Sequence, residues 1–328
     1  MSTVRGRNHA TKTLGVSHDR SSRPRLEDAM PCLTPPDVHF EVDNRVDDDD
    51  DYEPGSHLRY HSKSPTTMVL SHHDVDTARS TNYRFRIPAG ATFFLADCSN
   101  TEAFHDVVDQ RRLNFDFILM DPPWPNRSVK RTHKTPGSSY ATISTLEAIS
   151  HLLLNLHPPC LLSGTGHVGI WITNKAAIRT LVLGPGGLFE HWNVELAEEW
   201  IWLKTTVRGE PVTPLDGMWN GKRPYEVLLV AKKRAASPTR TGDIKRRVMI
   251  AVPDLHSRKP CLKKMIETLI GTDKLVLEIF ARHLVAGWWS WGNECVKFNW
   301  EAYWQGANER ERELYDNDKV PINTRQAP

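Results

Sequence analysis

The chain has few cysteines and no long hydrophobic run. Only five of its 328 residues are cysteine, they are scattered, and none forms a Cys-x-x-Cys pair. This argues against a disulfide framework or a cysteine-ligated zinc site. No apolar run approaches the roughly 20 residues that span a bilayer, and the N-terminus lacks a secretory apolar stretch. We therefore expect a soluble intracellular protein in a reducing compartment, with no membrane partner.

Neither sign of charge dominates, since the net charge is only +2. Attraction to nucleic acid must therefore come from local basic patches. Residues 232–234 (Lys-Lys-Arg) and 245–247 (Lys-Arg-Arg) lie in a sequence that predicts a loop. They are interpreted as a phosphate-contacting surface, a nuclear import signal or an ordinary solvated loop. We expect a nuclear protein that also occurs in the cytoplasm. The His/Asp-rich residues 72–76 are interpreted as a solvated stretch, so no metal site is predicted.

The N-terminal segment differs in composition from the rest of the chain. Residues 1–65 are polar, rich in charge and proline, and include an acidic run at 47–51. Such a segment buries too little apolar surface to offset its ordering entropy. We expect residues 1–65 to be largely disordered, 66–310 to form the folded domain and 311–328 to be a tail. A short strand at 67–70 leaves the first boundary open.

From residue 91 onward, short apolar runs alternate with helical patterns. Continuous apolar runs are typical of strands that are buried on both faces. The alternation predicts an α/β fold with a mostly parallel sheet covered by helices on both sides. The predicted strands are 92–96, 115–120, 160–163, 168–173, 198–204, 226–230 and 275–280, and the predicted helices are 145–156, 174–183 and 260–270.

The end of one predicted strand carries the strongest chemical signal. In such sheets ligands bind beyond the carboxyl ends of the strands, and the apolar run 115–120 is followed directly by Asp121-Pro122-Pro123-Trp124. The exocyclic amine of adenine is a poor nucleophile, and two acceptors aimed at its N–H bonds would help it attack a methyl donor. The Asp121 carboxylate and the Pro122 carbonyl can be those acceptors on a rigid loop, and Trp124 can stack on the base.

The alternative is a purely structural role, in which these four residues form a rigid turn and Trp124 packs in the core. The neighbouring basic loop favours a nucleic-acid site, since it can hold phosphates. Its candidate contacts are Asn126, Arg127, Lys130 and Arg131.

The motif and its surroundings resemble the MT-A family of adenosine N6-methyltransferases, and within it the methyltransferase-like protein 4 subfamily. The resemblance covers about residues 92–304. It implies a Rossmann-like S-adenosylmethionine-dependent methyltransferase sheet with permuted motif order, in which the Asp-Pro-Pro-Trp loop precedes the strand of the cofactor-binding acid. The matching motifs are Trp-Ile-Thr-Asn at 171–174, Glu-Trp-Ile-Trp-Leu-Lys at 199–204, Lys-Arg-Pro-Tyr-Glu at 222–226, His-Ser-Arg-Lys-Pro at 256–260, Leu-Glu-Ile-Phe-Ala-Arg at 277–282 and Ser-Trp-Gly-Asn-Glu at 290–294.

The resemblance also implies which residues bind the cofactor and the nucleic acid. Asp97 would accept the cofactor's adenine amine, Lys259 would pair with its carboxylate, and Asn293 and Glu294 would bond its ribose hydroxyls. Glu278 is an acid in an apolar run, which is expensive to bury without a role; a structural salt bridge to Arg282 is the alternative. His283 does not reproduce the family's histidine spacing and is expected to be a surface residue. The implied cofactor contacts are Asp97, Cys98, Asp121, Lys259, Glu278, Arg282, Asn293 and Glu294, and Lys222, Tyr225 and Glu226 would frame the target nucleotide.

The expected activity is methyl transfer from S-adenosylmethionine to the N6 amine of adenine in nucleic acid. RNA is favoured, in particular a small nuclear RNA adenosine that carries a 2′-O-methyl group, and DNA adenine is the main alternative. Two other classes stay open. One is a non-catalytic nucleic-acid-binding subunit, and the other is a protein methyltransferase with a related Pro-Pro tetrad. A protein partner is not required by the sequence.

Overall fold

Nine of the described strands form one central sheet, and three more form a small sheet beside it. The computed structural model describes residues 38–42, 57–74, 79–125, 145–215, 223–234, 243–255 and 257–304. Its strands are β1 Val38–Val42, β2 Leu58–His61, β3 Thr66–Asp74, β4 Arg79–Ile87, β5 Thr92–Leu95, β6 Phe115–Met120, β7 Leu162–Ile172, β8 Val194–Lys204, β9 Tyr225–Lys233, β10 Lys245–Ala251, β11 Val276–Ile279 and β12 Trp289–Trp291. Its helices are α1 Thr101–Gln110, α2 Leu146–Asn155, α3 Pro158–Leu161, α4 Ala176–Leu183, α5 Leu188–His191 and α6 Lys263–Ile270, with a 3₁₀ turn at Lys297–Asn299.

The central sheet is mostly parallel, as the sequence predicts. Its strand order is β10-β8-β9-β7-β6-β11-β12-β5-β2. Strands β9 and β2 run antiparallel to their neighbours, and the other neighbouring pairs are parallel. Strand β6, which ends at the Asp-Pro-Pro-Trp loop, lies directly beside β11, which carries Glu278. The α/β fold class with a large, mostly parallel sheet is confirmed. The loop precedes β11 in the chain, and the strand that carries it lies beside β11; the cofactor role of the β11 acid stays a prediction.

Alternation along the central strands divides the core between the two faces of the sheet. In β6, Ile118 and Met120 pack with α1, α2 and α4 on one face. Phe117 and Leu119 point to the opposite face, where they join the core that contains α6. All four side chains are almost fully buried. This two-sided burial explains why the strand has an unbroken apolar sequence.

The small sheet has the order β1-β3-β4. Its apolar side chains, including Leu70 and Phe85, pack against the face of β5 that carries Phe93 and Leu95. The predicted short strand at 67–70 is therefore part of β3. Strands β1 and β2 lie inside the segment that was expected to lack structure, and β2 pairs with β5 of the central sheet. Residues 58–61 thus pair with the backbone groups of β5, which would otherwise form the edge of the sheet. The domain bounds stay a prediction.

Two expectations about local structure were wrong. The predicted strands 160–163 and 168–173 are one strand, β7, preceded by α3 whose first residue is a proline. The basic cluster at 245–247 begins strand β10 rather than lying in a loop. β10 is an edge strand whose residues alternate between exposed and half-buried, and its first three residues are basic. Helix α1 was not predicted. None of the described helices is long and apolar enough to cross a membrane.

Candidate active site

The Asp-Pro-Pro-Trp loop lies at the carboxyl end of β6. Met120 is the last residue of the strand, and Asp121 follows it immediately. Pro122 and Pro123 have no N–H to continue the ladder, so the strand stops there. The Pro122 carbonyl accepts a 2.8 Å hydrogen bond from the Trp124 backbone N–H. A carbonyl oxygen has two lone pairs, so the predicted second role of Pro122 as an acceptor for a substrate N–H is compatible with this turn.

A chain of alternating charges converges on Asp121. The Lys259 ammonium lies 2.8 Å from both carboxylate oxygens of Asp121 and 3.3 Å from Glu226. Lys204, at the end of β8, pairs with the other Glu226 oxygen. The Asp121 and Lys259 side chains are only 16% and 15% exposed, so these charges are screened weakly. The network brings together residues that are 138 positions apart in the chain.

The pKa values in this network follow from burial and the partner charges. Burial lowers the pKa of Lys259, but the nearby carboxylates Asp121 and Glu226 outweigh it, and the pKa is raised overall. Burial raises the pKa of Glu226, but the two lysines outweigh it, and that pKa is lowered. Lys259 is therefore a permanent cation, held ready for an anionic partner.

Tryptophan side chains form the wall beneath this network. The Trp124 indole is only 8% exposed, and its N–H donates a 2.7 Å hydrogen bond to the Trp171 carbonyl at the end of β7. The Trp171 ring lies 5.6 Å from the Lys259 ammonium, and Trp202 packs edge-on against Trp171. In this conformation Trp124 has a packing role. Stacking on a base stays a prediction, and it needs more of the ring than is exposed here.

Two buried acceptors, in β11 and just after β12, have no hydrogen-bond partner in the described part of the chain. Glu278 in β11 is 6% exposed and Asn293 is 4% exposed. The Glu278 Oε2 and Asn293 Oδ1 atoms make no hydrogen bond with the described part of the chain. Burial and the charge of Asp121 raise the pKa of Glu278 to about 8, despite the opposing effect of Lys259 and Arg282. Unsatisfied buried acceptors are uncommon and are expected where a polar ligand binds.

Arg282 makes an ion pair with Glu294 at 3.3 Å. Glu294 also pairs with Lys297 at 3.0 Å. The alternative of a structural salt bridge between Arg282 and Glu278 was therefore wrong, because Arg282 pairs with Glu294. Arg282 is still close enough to lower the pKa of Glu278. Glu294 is held by two cations at the edge of the site, next to the unpartnered Asn293. The cofactor roles of these residues stay predictions.

Asp97 and Cys98 lie just after β5, at the same edge of the sheet. The Asp97 side chain is exposed, and its Oδ1 accepts a 2.7 Å hydrogen bond from the Ser99 N–H. Cys98 is buried, and its thiol lies 3.9 Å from the Trp291 carbonyl. The second Asp97 oxygen is available to a ligand. Cys98 is buried and can contribute only packing.

Several predicted nucleic-acid contacts lie outside the described residues. These are Asn126, Arg127, Lys130, Arg131 and Lys222. Tyr225 accepts a 2.8 Å hydrogen bond from Arg223, and Glu226 faces Lys259 inside the site. Of the two residues that can be placed, Glu226 belongs to the Asp121 network, whereas the Tyr225 side chain contacts Arg223.

The basic cluster of β10 has a structural partner. Arg246 pairs with Glu199, and Arg247 pairs with Glu198, at 2.9 and 2.6 Å. Both glutamates lie in β8 and are largely buried. The alternative of a solvated loop was therefore wrong for these arginines, whose charges neutralise Glu198 and Glu199. The phosphate-contacting surface and the nuclear import signal stay predictions.

His283 was expected to be a surface residue, and this was wrong. It is partly buried and lines a cavity next to the site. Burial and the charge of Arg258 lower the pKa of His283 to about 4. Lys204 and Trp171 also belong to the site but were not among the predicted site residues. Their signal was their position at the carboxyl ends of β8 and β7, where ligands of such sheets bind.

Comparison with known proteins places this site in a family. The family model MT-A70 matches residues 115–294, which include the Asp-Pro-Pro-Trp loop, Lys259, Glu278 and Asn293. The chain is 43% identical over 218 residues to the N6-methyladenosine RNA methyltransferase MTA1 of Cryphonectria parasitica, covering 66% of this chain and 62% of that protein. It is 35% identical over 230 residues to the N(6)-adenine-specific methyltransferase METTL4 of Homo sapiens, covering 67% and 45%. It is 31% identical over 213 residues to the DNA N6-methyl methyltransferase of Caenorhabditis elegans, covering 64% and 53%.

The chain therefore matches less than two thirds of the length of these curated relatives. The family match, in contrast, covers more than half of the chain and contains the whole charge network around Asp121. On this match, the chain belongs to the MT-A70 family.

Proposed function

We propose that the chain transfers a methyl group from S-adenosylmethionine to the N6 amine of adenine in a nucleic acid. The observation that carries the proposal is the position of Asp121. Its carboxylate stands at the carboxyl end of a central parallel strand, paired with Lys259 and close to Glu278. Glu278 and Asn293 each have a buried oxygen without a partner among the described residues. A non-catalytic subunit has no need for this combination of a held carboxylate and unsatisfied acceptors.

The residues around Asp121 fit S-adenosylmethionine by their chemistry. Its ribose hydroxyls need acceptors, and Glu278 and Asn293 each leave one buried oxygen free. Its carboxylate needs a cation, and Lys259 keeps its charge under all ordinary conditions because its pKa is raised. Asp97 follows β5 with an exposed carboxylate that can accept from the adenine amine. When bound, the cofactor supplies an electrophilic methyl group on a sulfonium.

Asp121 is the proposed acceptor for the substrate amine. Without a ligand, both of its oxygens face Lys259 at 2.8 Å. An anionic group that binds Lys259 would draw the ammonium away and leave Asp121 an oxygen for an N–H bond of the adenine amine. The Pro122 carbonyl is the second acceptor. The methylated amine carries a developing positive charge, which the fixed carboxylate stabilises in a site of low dielectric. Asp121 thus acts by position and charge.

RNA is the proposed substrate class, and a 2′-O-methylated adenosine of a small nuclear RNA is the proposed form. The relatives' names support both RNA and DNA adenine. The higher identity, 43% against 31%, is to the protein named for RNA. We also propose a nuclear location and no obligatory protein partner.

The test is methyl transfer from isotopically labelled S-adenosylmethionine by the purified chain. The acceptors are three single-stranded oligonucleotides of one sequence: RNA, RNA with a 2′-O-methyl group on the target adenosine, and DNA. The product nucleoside is identified by mass spectrometry. We expect N6-methyladenine, with the RNA forms labelled faster than DNA. DNA labelled fastest would overturn the RNA assignment, and label on protein alone would favour a protein methyltransferase.

Asp121→Ala should lower the turnover number by at least about 100-fold, the usual effect of removing one fixed charge-stabilising group. The matched control is Asp109→Ala, which removes an exposed carboxylate on α1 and should leave turnover unchanged. Binding of S-adenosylhomocysteine is measured on each variant by calorimetry. An Asp121→Ala variant that still folds and methylates at the native rate would contradict the proposed mechanism.

A further inference from the structure

A cavity of about 930 Å³ lies beside the active site. The segments around residues 258–259 and 282–283 separate the two. Arg258 and His283 line this cavity, whereas their neighbours Lys259 and Arg282 belong to the active site. The other walls come from the ends of β3 and β4, from the start of α6 and from the last described turn at Trp304. We call this space the flanking cavity. Its size is within the range of pockets that hold a nucleotide-sized ligand.

The charged side chains in the described lining of the flanking cavity are all cations. Arg86, Arg258 and Lys263 line it, and no aspartate or glutamate is among its described lining residues. Each cation has a carboxylate outside the cavity: Glu301 for Arg86 at 3.7 Å, Asp254 for Arg258 at 3.1 Å and Glu267 for Lys263 at 3.7 Å. Such partly exposed pairs are weak, so an anion inside the cavity can share these cations.

Aromatic and neutral polar groups complete the lining. The Arg258 guanidinium lies 4.7 Å from the Trp304 ring and 5.8 Å from the Phe298 ring. The His283 ring makes no hydrogen bond with the described part of the chain, and burial keeps it neutral. A neutral imidazole offers one donor and one acceptor. Aromatic rings beside arginine, with further cations for phosphates, are the groups by which proteins hold unpaired nucleotides.

We propose that the flanking cavity binds a nucleotide, with its phosphate on Arg258 and Lys263 and its base against the Trp304 side. The proposal rests on the proposed function in one respect: a substrate strand whose target base sits at Asp121 can place a neighbouring nucleotide here. A free mononucleotide has the same chemistry and is the other source. Either ligand occupies a site separate from the one formed by Glu278 and Asn293.

Cys261 provides a direct probe because its thiol is exposed and lines the flanking cavity. Cys160 on α3 is also exposed but is not part of the lining, so it serves as the internal control. The two thiols are alkylated in short pulses, and each peptide is quantified by mass spectrometry. Separate samples contain adenosine 5′-monophosphate or single-stranded RNA, all with S-adenosylhomocysteine to fill the proposed cofactor site.

At a ligand concentration of about ten times its Kd, alkylation of Cys261 should slow about tenfold while that of Cys160 stays constant. Protection by RNA alone identifies a nucleotide of the substrate strand, and protection by the mononucleotide as well identifies a general nucleotide site. If neither ligand protects Cys261, the proposal is overturned. Methyl transfer is measured separately on the same batch of enzyme, without S-adenosylhomocysteine. An unprotected Cys261 in active enzyme would therefore remove this proposal and leave the proposed function standing.

A pair of lysine variants gives an independent check. Lys263→Ala removes a cation that lines the cavity, whereas Lys264→Ala removes an exposed one from the same helix that does not. For RNA binding, Lys263→Ala should reduce the slope of log Kd against log salt by about 0.7, the value for one lost phosphate contact on a single strand. Lys264→Ala should keep the slope. Equal slopes for both variants would contradict a phosphate contact at Lys263.

Discussion

The ionisation of Glu278 should make the ligand-free protein less stable as the pH rises. Glu278 is 6% exposed, and its Oε2 atom has no partner among the described residues. Burial and the charge of Asp121 raise its pKa from 4.5 to about 8. A raised carboxyl pKa means that the folded state holds a proton which the unfolded state has already lost. Between these two pKa values, stability therefore falls with rising pH.

The magnitude follows from the same two pKa values. One proton corresponds to about 1.4 kcal/mol per pH unit, so the whole difference amounts to about 5 kcal/mol. Glu278→Gln keeps the shape of the side chain but cannot ionise. From about pH 5.5 to about pH 7.5, the stability of this variant relative to the native chain should rise by about 2 kcal/mol.

The assay is urea unfolding of the native chain and the variant at several pH values, followed by near-ultraviolet circular dichroism. The control is Glu147→Gln, which removes an exposed carboxylate on α2. Changes in other titrating groups cancel when each variant is compared with the native chain. A constant difference between Glu278→Gln and the native chain would refute the reasoning, because Glu278 would then ionise normally in the folded state.

Two further predictions concern the structure around the Asp-Pro-Pro-Trp loop. Lys259→Met leaves the Asp121 and Glu226 carboxylates without their shared cation. It should lower the free energy of unfolding by about 1 to 3 kcal/mol, which is less than for a fully buried pair because the side chains are partly exposed. It should also weaken the binding of S-adenosylhomocysteine, measured by calorimetry. Trp124→Phe leaves the buried Trp171 carbonyl without its 2.7 Å donor. It should cost about 2 kcal/mol in urea unfolding with an unchanged m value; a loss below half of that would mean that the carbonyl finds another partner.

The central strands were predictable because a strand that is buried on both faces needs a continuous run of apolar residues. Strand β6 has the predicted bounds, and helices α2 and α4 lie within the predicted segments. Strand β10 was not predictable in this way. Its arginines neutralise the β8 glutamates Glu198 and Glu199, and such a pairing between distant segments leaves no periodic pattern.

In the same way, one part of the site was predictable from the sequence and another was not. The acid before two prolines indicated where the chemistry lies, because residues that follow an apolar run must stand at the edge of a parallel sheet. The partner of that acid was not visible in the same way. Lys259 reaches Asp121 across 138 positions of the chain, and the resemblance implied only that it would bind the cofactor.

The sequence by itself determined the layered α/β fold, the position of Asp121 and the acidic residue buried in β11, since each depends on local composition and on the order of elements along the chain. Only the tertiary structure decided which charges meet. It paired Asp121 with Lys259 and Arg282 with Glu294 and placed His283 in the flanking cavity. It also left one buried oxygen each of Glu278 and Asn293 without a partner among the described residues. The physical reason is that electrostatic and hydrogen-bonding interactions act over a few ångströms in space, and only the folded chain sets those distances.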